Sequence, residues 1–420
     1  MRADDQGVAP KRMGRLAVHR ARPEGLRENQ KAARVARGTA WEEFCDRIKA
    51  VAKPLLETAV PLSSRDHADL SVHLMGLVSA SLQQAIAHHD PAVPRWVRNP
   101  DSRCKHSGDN PDNVYLRTSI DPRLTYRLSG RKGGCFDILF EVTEGYMQLG
   151  KFRTFATVSL SSMAVAEDGS FEIILSPDRH EGNWIPLAPD ARLLNVRQYF
   201  QEWSNEMPAE LRLVADGGDG VAPRPITAAV VDDLLDEAAS WVEGTATFWS
   251  SWVESFHEQY RPGAITQPEF YAGGVKDILY ANSYFKLQAE EALVIEGTPP
   301  RARFWQFQLL NNALVSMDFV NHQCSLNGRH IAVDADGKFR IIVAERDPGY
   351  ANWLDTCGHR TGLVQYRWIW THDNPPTTAR LVPLDHLAAV LPPDARRVSA
   401  EERRAAIARR QAHVVRREWL

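Results

Sequence analysis

The spacing of apolar residues in the first part of the chain predicts helices. Apolar side chains recur at helical intervals from Trp41 to Leu56 and again from about Ser64 to His88. Residues 39–110 are therefore predicted to form a helical segment, which ends in a loop rich in Pro, Asn and Asp. Residues 1–38 are rich in Arg, Gly and Ala without such a period, so we expect a basic N-terminus that is disordered or weakly helical.

Two later blocks of the chain carry short runs of β-branched and aromatic residues, which predict strands. The runs of the first block, residues 111–223, are Leu124–Leu128, Phe136–Val142, Thr154–Ser159, Phe171–Leu175 and Leu211–Val214. The runs of the second block, residues 263–395, are Leu293–Glu296, Phe304–Leu310, Ile331–Val333, Phe339–Val343 and Arg380–Leu384. Between the blocks, residues 224–262 show helical spacing from Ile226 to Tyr260, which predicts one long helix.

Matching segments in the two blocks indicate an internal duplication. Asp168-Gly169-Ser170-Phe171 recurs 168 positions later as Asp336-Gly337-Lys338-Phe339, and Asn183-Trp184 recurs 169 positions later as Asn352-Trp353. Asp and Gly tolerate the positive φ of a tight turn, so each block is predicted to contain an antiparallel hairpin at this point. The predicted fold class is α+β, with two related antiparallel β-sandwich or jelly-roll-like domains and flanking helices.

The end of the chain, residues 396–420, predicts an Arg-rich C-terminal helix. Ser399 and Glu402 have the spacing of a capping box. The apolar stripe of this helix is formed by Ala406, Ile407, Val414 and Val415. Because the helix is basic and the middle of the chain is acidic, one hypothesis is a homo-oligomer in which the helix docks on a neighbouring subunit.

Composition and charge narrow the class of protein. Apolar residues make up 44% and charged residues 25% of the chain, and no apolar run reaches 18 residues, so we expect a cytoplasmic protein without a membrane partner. Residues 1–37 carry ten Lys and Arg against four Asp and Glu, but no nucleic-acid motif accompanies them, and no nucleic-acid partner is expected. The five scattered Cys form no CxxC pair, which argues against a zinc knuckle or a disulfide framework.

The polar residues that follow the two hairpins form the best candidate site. His, Asp and Arg beside Trp suit proton transfer or anion binding on a flat, apolar substrate. The predicted catalytic residues are Asp355, His359, Arg360 and Arg367, and the predicted substrate-binding residues are Asn183, Trp184, Arg197, Asn352 and Trp353. Because Asn-Trp occurs in both copies, a purely structural role in fixing a loop is an open alternative.

Two further groups of residues are weaker candidates. His322, near Asp318, is a predicted general base, against the alternative of a polar loop histidine. Asp232, Asp233 and Asp236 form a DDxxD sequence, which binds Mg²⁺ in prenyl-diphosphate enzymes, although acidic residues near a helix N-terminus also favour the helix dipole. The chain lacks the GxGxxG, Walker A, HExxH and GxSxG motifs, and no cofactor or metal is expected.

Several of these segments resemble a bacterial family catalogued as domain of unknown function 1214. The segments that carry the resemblance are Asn183-Trp184, Val196-Arg197-Gln198-Tyr199-Phe200, Trp203, Phe304-Trp305-Gln306-Phe307, Ser325-Leu326-Asn327-Gly328, Arg346-Asp347-Pro348-Gly349 and Asn352-Trp353-Leu354-Asp355. The resemblance covers about residues 105–385. It implies a β-sandwich protein of bacteria that degrade hydrophobic or aromatic compounds, often with a companion domain of unknown-function family 1254, but it implies no established activity and no catalytic residues.

The function predicted on these grounds is a cofactor-independent lyase, hydrolase or isomerase that acts on a small, largely apolar or aromatic organic molecule. A count of 12 Trp suits a pocket for such a ligand. The alternative is a non-catalytic protein that binds a small molecule or a glycan. Whether the protein is an enzyme is therefore left open by the sequence. Mg²⁺-dependent, terpene cyclase-like chemistry at Asp232, Asp233 and Asp236 is the lesser alternative.

Overall fold

Two β-sandwiches of the same topology pack beside a layer of helices in a computed structural model, which describes Arg15 and residues 25–57, 62–271 and 274–418. The helices within these ranges are α1 (Glu28–Ala36), α2 (Thr39–Leu56), α3 (Ser64–His88), α4 (Ala228–Gln259), α5 (Leu387–Val390) and α6 (Ala400–Glu418). α1 lies inside the stretch predicted to be disordered or weakly helical, and it packs on α4. Residues 1–14 and 16–24 of that stretch lie outside the described residues.

The first sandwich consists of two four-stranded sheets. Its strands are β1 (Asn113–Ser119), β2 (Tyr126–Arg131), β3 (Asp137–Thr143), β4 (Thr154–Ser159), β5 (Ser170–Ser176), β6 (Trp184–Pro186), β7 (Leu193–Tyr199) and β8 (Glu210–Ala215). One sheet has the order β1-β7-β3-β4 and the other has the order β6-β5-β2-β8. Strand pairing is antiparallel except between β5 and β6, which are parallel.

The second sandwich repeats this arrangement strand for strand. Its strands are β9 (Ile278–Lys286), β10 (Glu291–Gly297), β11 (Ala302–Leu310), β12 (Ser325–Asn327), β13 (Phe339–Ala344), β14 (Trp353–Asp355), β15 (Thr361–Thr371) and β16 (Thr377–Pro383). The sheet orders are β9-β15-β11-β12 and β14-β13-β10-β16, so each strand has its equivalent eight strands earlier. The predicted duplication and the α+β class are confirmed. Ile331–Val333 was wrongly predicted as a strand, because only a single bridge joins Val333 to Phe339.

The two Asp-Gly turns have the backbone geometry that their sequence predicts. Gly169 has φ +81° and Gly337 has φ +79°, values that favour glycine. In each turn the Asp carboxylate accepts a hydrogen bond of 3.0 Å from the backbone N–H two residues later, at Ser170 and Lys338. Each turn leads directly into a buried strand, β5 or β13, so the duplicated segment sets the strand register at the same place in both copies.

The core of each sandwich depends on a glycine that lies opposite an aromatic ring. Gly130 pairs with Phe171, and Gly297 pairs with Phe339. A Cβ atom would lie 2.9 Å from the ring of Phe171 at the first glycine and 2.7 Å from the ring of Phe339 at the second. The phenyl groups therefore fold flat over the neighbouring strand, where both are buried.

The helix α4 holds the helical layer together, because α1, α2 and α3 all pack on it. It begins at Thr227, whose hydroxyl caps the N–H of Val230, and its buried side includes Trp241 and Phe248. By length and composition α3 qualifies as a candidate membrane span, although 39% of that window is buried and α3 packs on α4 within the fold. The absence of a membrane partner stays a prediction.

The C-terminal helix α6 packs against its own chain. The predicted capping box is present, since Ser399 N–H donates to Glu402 at 2.7 Å and Glu402 N–H donates to Ser399 Oγ at 3.2 Å. The predicted apolar stripe was wrong in part, because Val415 is 52% exposed. The buried side of α6 consists of Arg410, His413, Val414 and Arg417. An oligomer formed through this helix stays a prediction.

Replacement of Gly244 by Ala is expected to lower the free energy of unfolding by about 1 to 3 kcal/mol. In a helix with free space the same change would stabilise by about 0.5 to 1 kcal/mol. Here the new Cβ would lie 2.6 Å from Leu149 Cδ2 and 2.9 Å from the carbonyl oxygen of Gln148. Urea unfolding measures the difference. Gln259→Ala, at the exposed end of α4, is the control and should change stability little. A stabilised Gly244→Ala protein would contradict this close approach.

Candidate functional site

A cavity of about 220 Å³ lies where the two sandwiches and α4 meet. β1, β3 and β7 of the first sandwich form one wall, and β9 and β15 of the second form another. Phe248, Trp249 and Trp252 of α4 contribute an aromatic surface, and the loop residues of the lining include 106–110 and 145–148. The strands bring polar side chains to the cavity because every second residue points away from the core of its own sandwich.

Two cross-strand pairs of tyrosine and arginine line this cavity. Tyr115 on β1 lies directly opposite Arg197 on β7, and Tyr280 on β9 lies directly opposite Arg367 on β15. Each guanidinium stands over the ring of its partner, at 5.9 Å in the first pair and 5.4 Å in the second. Because the four strands are equivalent in the duplication, the same Tyr–Arg pair enters the cavity from both sandwiches.

The two pairs differ in how the arginine charge is balanced. Arg197 forms an ion pair with Glu141 on β3, which is buried. Sheet register makes Gln308 on β11 the equivalent of Glu141. Glu141 lies opposite Asn195, two positions before Arg197, and Gln308 lies opposite Gln365, two positions before Arg367. Arg367 donates to this Gln308 at 3.3 Å, and it also donates to the side-chain oxygen of Gln365 and to the carbonyl oxygen of Gly108. All of these partners are neutral.

A third arginine, Arg117 on β1, also lines the cavity. Its Nε and Nη1 atoms are buried and have no hydrogen-bond partner among the described residues. Its guanidinium lies 5.7 Å from the centre of the Tyr146 ring, and burial lowers its pKa. The equivalent position in the second sandwich, opposite Gln365, is the neutral Asn282. A buried guanidinium with unused donors has lost hydration that no protein acceptor replaces.

Among the remaining titratable groups of the lining, Asp109 is a carboxyl group that interacts with Arg367. Burial lowers the pKa of His106 well below its ordinary value, so its ring is neutral. Burial raises the pKa of Asp109, whose carboxylate accepts hydrogen bonds from the backbone and hydroxyl of Ser316. Burial also raises the pKa of Tyr115 and Tyr280 although Arg367 acts in the opposite direction, so both phenols are protonated at neutral pH.

Of the residues predicted from the sequence, Arg197 and Arg367 meet in this cavity. His359 does not line it: its ring nitrogens bond Asp66 at 2.7 Å and Asp69 at 2.8 Å, both on α3. Arg360 is exposed beside it. A catalytic role for His359 and Arg360 stays a prediction, and the contacts of His359 favour a structural link between β15 and α3.

The Asn-Trp segments have the same contacts in both copies. Asn183 exchanges two hydrogen bonds of 2.8 Å with the backbone of Ala164, and Asn352 exchanges bonds of 2.8 and 2.7 Å with the backbone of Ala332. The indole N–H groups of Trp184 and Trp353 donate to the carbonyl oxygens of Ser176 and Ala344. These contacts favour the loop-fixing alternative, while a substrate-binding role for the four residues stays a prediction.

The other predicted groups also lie outside the cavity lining. His322 pairs with Asp355 at 2.7 Å rather than with Asp318, which instead bonds Asn321. The DDxxD carboxylates of α4 form ion pairs with the basic residues of α1 and α2. These pairs are Asp232–Arg34, Asp233–Lys31 and Asp236–Arg47. Such pairing favours a role for the three Asp in holding helices together over a Mg²⁺ site.

The strands β1, β7, β9 and β15 were not predicted from the sequence, so Tyr115, Arg117 and Tyr280 were missed as site residues. Glu141 was also missed, although it lies in the predicted run Phe136–Val142. One signal was present. Arg197 and Arg367 are 170 positions apart and each follows an amide residue by two positions, Asn195 or Gln365. This spacing is close to the offsets of 168 and 169 positions between the repeated Asp-Gly and Asn-Trp segments, so the duplication relates the two arginines to each other.

Comparison with known proteins identifies a family model and solved structures that are similar to this chain. A family model described as protein of unknown function (DUF1214) matches residues 147–201 and 282–371. The crystal structure of an uncharacterised protein from Burkholderia cenocepacia is 32% identical with a TM-score of 0.80, and the alignment covers 85% of this chain and 100% of that one. The VPA0106 protein of Vibrio parahaemolyticus is 11% identical with a TM-score of 0.43, over 74% of this chain and 98% of that one, which is too distant to support an argument. The comparison with curated proteins gave no match.

Stability should fall as the pH rises through about 9, because the charged form of His359 is held by two carboxylates. Burial opposes the charge, but Asp66 and Asp69 outweigh it and raise the pKa of His359 from 6.5 to about 9. Because the pKa of His359 is higher in the folded state than in the unfolded state, its protonation stabilises the folded protein. This contribution, on the order of 3 kcal/mol, is complete below pH 6.5 and is lost above about pH 9.

His359→Gln should destabilise the protein at pH 6 and reduce the fall in stability between pH 6.5 and 10. Urea unfolding at several pH values measures both effects. His386→Gln, at an exposed position, is the matched control. An unchanged pH dependence in His359→Gln would show that this histidine is not the titrating group.

Proposed function

This chain belongs to the DUF1214 family, whose description assigns no activity, and from its central cavity we propose that it binds a small organic anion with an apolar or aromatic body. The observation that carries the proposal is the buried guanidinium of Arg117, whose Nε and Nη1 donors have no partner within the described residues, beside Arg367, whose hydrogen-bond partners are neutral. An anionic group of a ligand would accept the hydrogen bonds that Arg117 lacks within the described residues. It would also supply the carboxylate that Gln308 does not provide to Arg367.

The volume and the lining of the cavity support a small ligand with an apolar or aromatic body. A volume of about 220 Å³ suits a small molecule rather than a polymer. Phe248, Trp249 and Trp252 cover one side with aromatic surface, while the arginines lie on the strands of the other sides. A ligand with a charged group at one end and a flat apolar body at the other would satisfy both surfaces, as benzoate or a similar aromatic acid does.

Arg117→Met is expected to abolish anion binding without loss of stability. Replacing a buried charge by an apolar side chain of similar length is often neutral or stabilising by about 1 to 4 kcal/mol. Wild-type protein with benzoate, phthalate or succinate at about 100 times its dissociation constant should gain roughly 2.7 kcal/mol. Thermal unfolding and titration calorimetry measure these effects, with benzamide as the neutral counterpart of benzoate.

The matched control is Arg127→Met, since Arg127 is exposed and pairs with Glu172 away from the cavity. It should bind the anions as the wild type does. Equal binding of benzamide and benzoate, retention of binding in Arg117→Met, or no response to any anion of the panel would each contradict the proposal.

A catalytic role for the same cavity is the second candidate, and Tyr280 is the residue that favours it. Its phenol is protonated, lines the cavity and stands beside Arg367, so it is suited to donate a proton to a bound anion or to its leaving group. Lyase, hydrolase or isomerase chemistry would each use such a group.

Tyr280→Phe separates binding from catalysis. If the cavity is catalytic, we expect mass spectrometry to detect product from a bound anion with wild-type protein, at least about tenfold less with Tyr280→Phe, and similar anion affinity in both. Tyr284→Phe on the same strand, outside the cavity lining, is the control. Binding without product from any bound member of the panel would favour the non-catalytic alternative.

A further inference from the structure

Two short segments of the second sandwich place a mixed set of metal-binding side chains together. One is His322-Gln323-Cys324, which leads into β12, and the other is Asp355-Thr356-Cys357, which starts at the end of β14. The N–H of Asp355 donates to the carbonyl oxygen of Gln323 at 3.0 Å, and the side chain of Gln323 donates to the backbone of Trp353 at 2.6 Å. The segments therefore lie side by side, with donors at alternate positions of each.

The donor atoms are close enough for one ion to contact them. His322 Nδ1 lies 2.7 Å from Asp355 Oδ2, and these two atoms and the sulfur of Cys357 all lie within 4.8 Å of one another. Interaction with the thiol of Cys324, together with burial, raises the pKa of the Cys357 thiol. Around a tetrahedral zinc ion, bonds of about 2.0 to 2.3 Å place neighbouring donor atoms roughly 3 to 4 Å apart.

Burial gives this cluster a closed side and an open side. Cys324 is fully buried and Cys357 is 7% exposed, whereas the side chain of His322 is 40% exposed. The exposed side of the histidine is therefore the side from which an ion would reach the sulfur of Cys357. Thiolate and imidazole donors favour zinc and similar transition metals over Mg²⁺ or Ca²⁺, which prefer oxygen donors.

The shared fold does not account for this set of residues. In the first copy the residue equivalent to Asp355 is Pro186, which lies two positions after Trp184 just as Asp355 lies two positions after Trp353. Asn352 and Trp353 repeat Asn183 and Trp184, but the donors beyond them occur only in the second copy. Because the first copy forms the same backbone without these donor side chains, the fold does not require them. They are therefore available for a separate role.

We propose that His322, Asp355 and Cys357, beside the buried Cys324, bind a divalent transition-metal ion of the zinc class. The ion would link β12, at the edge of one sheet, to β14, at the edge of the facing sheet. Metal binding would replace the hydrogen bond between His322 and Asp355 and would release the thiol proton of Cys357. The proposal is independent of anion binding in the cavity, because no residue of the cluster lines that cavity.

Cobalt substitution tests the proposal on the full-length reduced protein. Titration with Co²⁺ should saturate at one equivalent and give the thiolate-to-cobalt charge-transfer absorption. Zn²⁺ should displace the cobalt and raise the melting temperature, and a chelator should reverse that rise. Cys357→Ser and His322→Gln should each weaken Co²⁺ binding by about 100-fold. Cys45→Ser, at an exposed cysteine of α2, is the control and should bind as the wild type does.

Circular dichroism shows whether the variants are folded, and His322→Gln is the informative one if Cys357→Ser fails to fold, because His322 is partly exposed. Three results would overturn the proposal: no charge-transfer absorption, an absorption unchanged in His322→Gln, or an absorption lost in Cys45→Ser. A disulfide between Cys324 and Cys357 in protein purified without reductant, with no metal bound after reduction, would also overturn it.

Discussion

Because the side chains of a β-strand point alternately to the two faces of its sheet, each sandwich can turn only half of its side chains to its own core. The other face of the sheet β1-β7-β3-β4 and of the sheet β9-β15-β11-β12 must be covered by something else. In this protein the two faces contribute to one cavity, and α4 covers it. The position of α4 depends in turn on Gly244, where the helix backbone comes close to Gln148. Both the strands and the helix are therefore needed to form the cavity.

The chemistry of that cavity follows from small differences between two copies of one framework. The Tyr–Arg pairs are the same in both sandwiches, which brings two guanidinium groups together. Glu141 balances the charge in the first copy, and Gln308 cannot do so in the second. Arg117 adds a further charge where the second copy has Asn282. Burying a cation without a hydrogen-bond partner lowers stability, so Arg117 is hard to explain as part of the framework alone.

The strands and turns that were predicted from the sequence are those whose residue types match both their backbone conformation and their burial. The runs at β4 and β5 are apolar or β-branched, and the Asp-Gly turns need positive φ, so both were recognised. β1 and β15 were missed because their second face carries side chains such as Arg117 and Arg367, which break the apolar pattern of a strand. The strands that form the cavity are therefore the ones that hydrophobic periodicity detects least well. The pairing of Tyr115 with Arg197 depends on sheet register, which no local pattern specifies.

The duplication also separates residues that the fold requires from residues that it does not. Asn183 and Asn352 make the same hydrogen bonds to the same loop in both sandwiches, as expected if the backbone itself needs them. Asp355, by contrast, stands where the first copy has Pro186, and the backbone pairing of the two segments is the same. A carboxylate at that position is not needed to form the parallel bridge. The same reasoning applies to Arg117: a strand of equal register forms with Asn282 in its place, so its buried charge calls for an explanation outside the fold.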